Sequence, residues 1–173
     1  PECWEAWRGR PIASSQSHRS ERQRGEEARS VPIPELEARI DEAALRQTAA
    51  IAVRFMDNVI DISNYPLPQQ RAEAHAKRRI GLGITGLADA LAMCGLHYGT
   101  PEAADVARQW MSAIEQAAYQ SSISLAQERG PFPLFDAGRF GQTGHASRLN
   151  KQMREAIARH GLRNGLVTSI APT

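Results

Sequence analysis

The sequence has few cysteines, few aromatic side chains, little net charge and no long apolar run. Its two cysteines, Cys3 and Cys94, exclude a disulfide framework and indicate a reducing compartment. No apolar stretch approaches the ~18 residues needed to cross a bilayer, and the amino terminus lacks the residue order of a signal peptide. A formal charge of +2 gives no overall basic field for nucleic acid. We therefore predict a cytoplasmic protein with neither a membrane nor a nucleic-acid partner.

Positive charge is concentrated near the amino terminus, where we predict a disordered basic tail over residues 1–32. Residues 8–30 contain six arginines against three glutamates, and their apolar residues are only Ile12, Ala13 and Ala28. So polar a segment cannot bury enough surface to offset the entropy lost on ordering. A basic arm that binds phosphate groups is the functional alternative.

From Asp41 onward the spacing of apolar residues predicts a mostly helical domain. Asp41 is a candidate N-cap, and the Pro66-Leu67-Pro68 segment forces the first helix to end near Ser63. Thr100 and Pro101 begin the longest helix, which Gly130 ends. The predicted helices cover residues 42–63, 69–77, 87–94, 101–129 and 148–160, with a loop before the last of them.

Two short segments, one beginning at Ile80 and one over Leu166–Ala171, are strand candidates. Neither could form a sheet alone, so we expect each to pair with strands outside this chain. The second segment leads into Ser169-Ile170-Ala171-Pro172-Thr173, which places hydroxyl and backbone N–H groups where a strand ends. In barrel folds this end of the strands carries the chemistry.

The segment Gly81-Leu82-Gly83-Ile84-Thr85-Gly86 matches the G-x-G-x-x-G pattern of dinucleotide-binding turns, and Asp105 lies near the expected position of the acidic residue. A dinucleotide-binding fold also needs a buried strand before the first glycine. Here Lys77-Arg78-Arg79 precede a single Ile80. We therefore favour tight backbone packing as the role of these glycines.

No local pattern predicts a catalytic or metal site. Cys94 has no basic neighbour in sequence, and we interpret it as a small buried hydrophobic residue. The five histidines show no metal-ligand spacing with either cysteine. Asp57, Asn58 and Asp61 lie on the first buried helix, where capping or hydrogen bonding between helices is the expected role.

Three segments in order, residues 53–66, 78–91 and 163–173, resemble characteristic stretches of ribonucleotide reductase large chains. They read VRFMDNVIDISNYP, RRIGLGITGLADAL and RNGLVTSIAPT. The sequences of residues 92–96 and 169–173 are most similar to those of the adenosylcobalamin-dependent class. The resemblance covers about residues 33–173, and it implies a partial barrel domain there.

The resemblance implies an α/β fold in which this chain is a helix-rich partial segment of a ten-stranded barrel. The family reduces ribonucleotides to deoxyribonucleotides through a cysteine thiyl radical. The implied cofactor of the intact parent enzyme is adenosylcobalamin. The implied partners of the parent are a ribonucleotide substrate, nucleotide effectors and a thioredoxin-like reductant.

The resemblance assigns Ala171, Pro172 and Thr173 to the start of the substrate-phosphate loop, which reads Ala-Pro-Thr-Gly-Thr in the family. The family's Asn-x-Cys-x-Glu loop, which carries the radical cysteine, has no counterpart in this sequence. We therefore expect no catalytic residue in this chain and no activity from it alone. The alternative is a non-enzymatic helical interaction module with a basic amino-terminal arm.

Residues 1 to about 30 depart from the family, which has a Leu-Gly-Ser-Ile-Asn-like stretch at this place. Codons for Cys3-Trp4-Glu5-Ala6-Trp7, read two bases later, give Leu, Gly, then Ser or Gly, then Leu, Met or Val. Our hypothesis is that residues 1 to about 30 are an out-of-frame reading, from a frameshift or a sequencing error.

Overall fold

The structure, a computed structural model, describes residues 38–171. The predictions for residues 1–32 and for Pro172 and Thr173 lie outside this range. In chain order the elements are α1 (Glu42–Ile62), α2 (Pro68–Lys77), β1 (Arg79–Leu82), α3 (Leu87–Met93), α4 (Pro101–Arg129), α5 (Ala137–Gly141), a 3-10 turn (Ala146–Arg148), α6 (Lys151–His160) and β2 (Leu166–Thr168).

Local capping signals fix the bounds of the two longest helices. The Asp41 carboxylate accepts a hydrogen bond from the backbone N–H of Ala44 at 3.0 Å, which satisfies one free donor of the first turn of α1. The Thr100 hydroxyl accepts in the same way from Ala103 at 3.2 Å, and Pro101 occupies the first turn of α4. Gly130 follows the last residue of α4. These helix predictions are confirmed.

The core lies where α4 packs along α1, with α6 and both strands covering further faces of α4 or α1. None of the helices within residues 38–171 is both long and apolar enough to cross a membrane. The side chains that form the core are Val53, Ile60, Ile80, Ala118, Tyr119, Ile123, Leu125, Leu149, Met153, Ile157, Leu162 and Val167.

The two strands pair with each other in parallel, with Arg79 opposite Leu166 and Leu82 opposite Thr168. We predicted that each strand needs a partner from outside this chain. This prediction is wrong for the two edges that face each other, because β1 and β2 pair there. The pairing spans four residues of β1 but only three of β2, so the register is irregular. A parallel pair needs a crossover connection, and here the whole α3–α6 segment supplies it.

Two predictions between residues 131 and 160 are corrected. The last helix begins at Lys151 and not at Arg148, because the Asn150 side chain caps it by accepting from the N–H of Met153 at 2.8 Å. The segment interpreted as a loop contains α5, whose first turn is capped by Asp136 through the N–H of Arg139 at 2.9 Å. The start of each helix depends on a single short polar side chain. Such a side chain is a weak signal in a sequence that contains many polar residues.

Candidate functional site

The carboxyl ends of β1 and β2 open onto a cleft of about 640 Å³. One wall comes from the segments that follow the two strands, and the other wall comes from the amino-terminal half of α4. Ligand sites of parallel α/β sheets occur at this end of the strands. The cleft lining consists of Leu82, Ile84, Arg108, Met111, Ser112, Ile114, Glu115, Thr168, Ser169 and Ile170.

Ser169 lies directly against the glycine segment that begins within β1 at Gly81. Its backbone N–H donates to the carbonyl of Leu82 at 3.0 Å, which extends the pairing by one residue. A Cβ atom on Gly81 would lie 2.7 Å from the Ser169 hydroxyl oxygen, and one on Gly83 would lie 3.0 Å from the Ser169 carbonyl oxygen. The tight-packing interpretation is therefore confirmed for Gly81 and Gly83.

Gly86 has a different role from the other two glycines. Its φ of +74° lies in the left-handed region, and it forms the N-cap of α3. The dinucleotide interpretation also needs a buried strand before Gly81. Within residues 38–171 that requirement is not met, because β1 contributes only Arg79 and Ile80 before Gly81, and only Ile80 of β1 is buried.

We predict that Gly81→Ala destabilises the chain and that Ser169→Ala rescues it. The new methyl group would collide with the Ser169 hydroxyl, which can rotate away at a cost of about 1 kcal/mol. Removing that hydroxyl leaves only the Ser169 Cβ atom, at 3.4 Å, an ordinary contact. The measurement is urea unfolding of both single variants and of the double variant. Additive losses in the double variant would contradict the predicted contact.

The structure places only the first of the three predicted phosphate-loop residues. Ala171 is exposed and follows Ile170, which lines the cleft. Pro172 and Thr173 lie beyond the described residues, and the assignment of all three residues to the phosphate loop stays a prediction.

At their amino ends, both strands are tied to one buried carboxylate. Asp57 of α1 is completely buried. Its oxygens accept from Arg78 at 2.8 Å, Arg163 at 3.2 Å and Arg129 at 3.3 Å. They also accept from the Asn164 side-chain amide at 3.0 Å. We call these five residues, together with Asp61 and Ser122, the Asp57 network.

Arg78 connects Asp57 to Asp61 one helical turn further along α1. Its guanidinium group donates to Asp61 at 2.7 and 3.0 Å and to the Asp57 backbone carbonyl at 2.9 Å. Burial acts to lower the pKa of Arg78, but the hydrogen bonds to Asp61 and Asp57 outweigh it, and the pKa is raised.

Within residues 38–171, Arg78 is also the only non-glycine residue with a positive φ, of 44°.

We predict that the chain loses stability below about pH 4 in part because Asp61 becomes protonated. The hydrogen bonds from Arg78 lower the pKa of Asp61 in the folded chain, against a smaller opposing effect of burial. Because the pKa of Asp61 is lower in the folded chain than in the unfolded chain, ionised Asp61 stabilises the fold at pH values above its unfolded pKa. This stabilisation disappears as the pH falls through the folded pKa. Urea unfolding between pH 3 and 6 should therefore show a shallower acid slope in Asp61→Asn. Equal slopes would contradict this role.

Asn164 connects the Asp57 network to α4. Its side-chain oxygen accepts from the Ser122 hydroxyl at 3.0 Å, and its backbone N–H donates to the same hydroxyl oxygen at 3.1 Å. Both residues are completely buried. Asn164 therefore joins α1 and α4 two residues before β2 begins.

The predicted hydrogen-bonding role of Asp57, Asn58 and Asp61 is confirmed, since Asn58 also accepts from Arg129 at 2.7 Å. Sequence reasoning missed the role of Arg163, Asn164 and Ser122. The polar pair immediately before the apolar run of β2 was the available signal. Cys94, predicted to be buried, is only half-buried at the end of α3. Within residues 38–171 no group of three histidine, cysteine or carboxylate side chains could hold a metal ion.

A family model described as the ribonucleotide reductase barrel domain matches residues 28–173. A vitamin B12-dependent ribonucleoside-diphosphate reductase from Mycobacterium tuberculosis (strain CDC 1551 / Oshkosh) is 42% identical over 137 residues, covering 79% of this chain and 18% of that protein. A protein of the same name from Thermoplasma acidophilum is 36% identical over 135 residues, covering 78% of this chain and 16% of that protein.

A ribonucleoside-diphosphate reductase subunit alpha from Treponema pallidum is 32% identical over 139 residues, covering 77% of this chain and 16% of that protein. The chain thus spans less than a fifth of the length of these relatives.

Proposed function

Because the chain belongs to the ribonucleotide reductase barrel-domain family, we propose that it is a segment of an enzyme that reduces ribonucleotides to deoxyribonucleotides. The observation that carries this proposal is the match of the family model to residues 28–173. The reaction class follows from the relatives, which are ribonucleoside-diphosphate reductases. The parent enzyme would form deoxyribonucleotides by thiyl-radical chemistry in the cytoplasm, and its ten-stranded barrel would include β1 and β2.

Within that enzyme, the segment would hold the substrate phosphate through Ala171, Pro172 and Thr173. Two features support this role. The strand before the loop ends at the cleft, and the cleft lining includes the hydroxyl residues Thr168, Ser169 and Ser112. Backbone N–H groups that follow such a strand bind phosphate oxygens well, because the backbone fixes their positions. Pro172 has no N–H group, so the donors would be those of Ala171 and Thr173.

The cofactor of the parent enzyme would be adenosylcobalamin, which supplies the radical when bound. The cleft lining contains neither an imidazole nor a thiol to coordinate cobalt, and the cleft is open to solvent. The lining of this cleft therefore does not by itself fit a corrinoid site, and we propose that residues in other parts of the parent complete it. The parent would also bind nucleotide effectors and a thioredoxin-like reductant.

The chain alone would be inactive. Its sequence contains no Asn-x-Cys-x-Glu loop, and Cys94 lies at the end of α3, outside the cleft lining. The alternative function, a helical binding module, depends on arginines of residues 8–29, which lie outside the described residues.

A chimera tests the proposed function. Residues 33–173 would replace the matching segment of the Mycobacterium tuberculosis protein, and deoxyribonucleotide formation would be measured with and without adenosylcobalamin. We expect cofactor-dependent turnover by the chimera and none by the 173-residue chain. Thr173→Ala in the chimera should raise KM for the ribonucleotide, with a smaller effect on kcat. A folded chimera that binds nucleotide but does not reduce it would overturn the proposal.

A further inference from the structure

The Asp57 network and the cleft lie at opposite ends of the same two strands. Arg78 immediately precedes β1, and Asn164 lies two residues before β2. The strands are short, so any shift at their amino ends is transmitted within three or four residues to the cleft. The residues that fix the start of β2 therefore also fix where Ser169, Ile170 and Ala171 emerge.

The register of β2 on β1 is not determined by the ladder itself. The pairing is irregular, and a pair this short supplies few hydrogen bonds. Two further backbone bonds hold its ends: Gly165 N–H donates to the Lys77 carbonyl at 3.0 Å, and Ser169 N–H donates to the Leu82 carbonyl at 3.0 Å. A one-residue slip would turn the buried Val167 to the opposite face.

Asn164 is the residue best placed to prevent such a slip. Its side chain forms hydrogen bonds to two other elements: the amide donates to Asp57 of α1, and the carbonyl accepts from Ser122 of α4. Because the side chain is completely buried, leaving either group without a partner would incur the full desolvation cost. The amide can therefore satisfy both partners in one position only.

We propose that Asn164 is a positioning residue for substrate binding: it fixes the register of β2 and thereby the positions of Ser169 and Ile170 in the cleft wall and of Ala171 after them. None of the hydrogen bonds of Asn164 reaches a residue that lines the cleft. Asn164 therefore acts through β2 and not by contact with the nucleotide. This inference rests on the proposed function.

The first test compares amide hydrogen exchange in the 173-residue chain, in Asn164→Ala and in Asn58→Ala. Asn58 is the matched control, because it lies next to Asp57 on α1 and its side chain accepts a hydrogen bond from Arg129 of α4 and not from a residue of β2. In Asn164→Ala we expect exchange at Gly165 and Ser169 to accelerate at least tenfold, with the centre of α4 unchanged. Asn58→Ala should leave all these amides as they are. Equal acceleration in α4 and β2, or none at β2, would overturn the proposal.

The second test uses the chimera and separates positioning from general loss of structure. In Asn164→Ala we expect KM for the ribonucleotide to rise at least tenfold while kcat changes less than threefold. A fall in kcat at constant KM would contradict positioning. If Asn164→Ala does not fold, Ser122→Ala removes one of the two anchors of Asn164 and should give the same pattern, more weakly. Unchanged KM and unchanged exchange in Ser122→Ala would then overturn the proposal.

The two tests distinguish this inference from the proposed function. An inactive chimera would count against the function of the segment, while exchange at Gly165 and Ser169 needs no activity and still decides the role of Asn164. If the chain alone shows no protected amides, the same exchange comparison is made in the chimera.

Discussion

Asp57→Ala is expected to reduce the free energy of unfolding by about 3–5 kcal/mol. The carboxylate is completely buried and accepts hydrogen bonds from Arg78, Arg129, Arg163 and Asn164. Removing the Asp57 carboxylate leaves the guanidinium groups of these three arginines with Asp61 as the only carboxylate of the network. The guanidinium group of Arg78 is itself buried. An uncompensated buried charge is far more costly than the loss of a surface ion pair. Urea unfolding at neutral pH measures the loss.

Glu128→Ala is the control for Asp57→Ala. Glu128 also forms an ion pair between α1 and α4, to Arg54 at 2.8 Å, but both side chains are nearly half exposed. Solvent screens this pair, so its loss should leave the unfolding midpoint almost unchanged. Similar losses in Asp57→Ala and Glu128→Ala would show that burial does not determine the strength of the Asp57 network.

The helices could be predicted because their signals are local. Asp41, Thr100 and Pro101 each act on residues within three or four positions, so the sequence alone specifies where α1 and α4 begin. The start of α6 was misjudged because Arg148 fits a helical pattern, whereas Asn150 competes as the N-cap. Such short-range competition cannot be decided from apolar spacing.

The strand pairing and the Asp57 network could not be predicted because they join distant residues. Arg163 and Asp57 are 106 positions apart, and Asn164 and Asp57 are 107 apart. Sequence reasoning assigned Asp57 a hydrogen-bonding role but had no means of naming its partners. The location of Ser169 and Ile170 at the carboxyl end of β2 followed from strand polarity, whereas the phosphate role of Ala171 came only from the family resemblance.

The glycine pattern shows why a motif needs its structural context. Gly81 and Gly83 are glycines because Ser169 approaches them, and Gly86 is a glycine because of its positive φ. A dinucleotide-binding turn would use the same spacing to approach a pyrophosphate. The same three residues therefore fit either role, and the strand before them decides between the two.

Gly165→Ala is expected to destabilise the chain by about 1–3 kcal/mol or more. A Cβ atom on Gly165 would lie 2.6 Å from the carbonyl oxygen of Lys77, closer than real Cβ atoms approach. That oxygen also accepts the Gly165 N–H, so backbone and not a flexible side chain must move. The start of β2 would shift away from α2, and the bond that holds the amino end of the strand pair would break.

Gly144→Ala is the matched control for Gly165→Ala, because a Cβ atom there would meet nothing within 4 Å. Thermal unfolding of both variants is the measurement, together with amide exchange at Ser169. We expect Gly165→Ala to lower the midpoint and to speed exchange at Ser169 as well, since both ends of the short pair depend on one register. Loss of stability with a normally protected Ser169 amide would show that the two ends of the strand pair are held independently, and Asn164 could then not act on the cleft through β2.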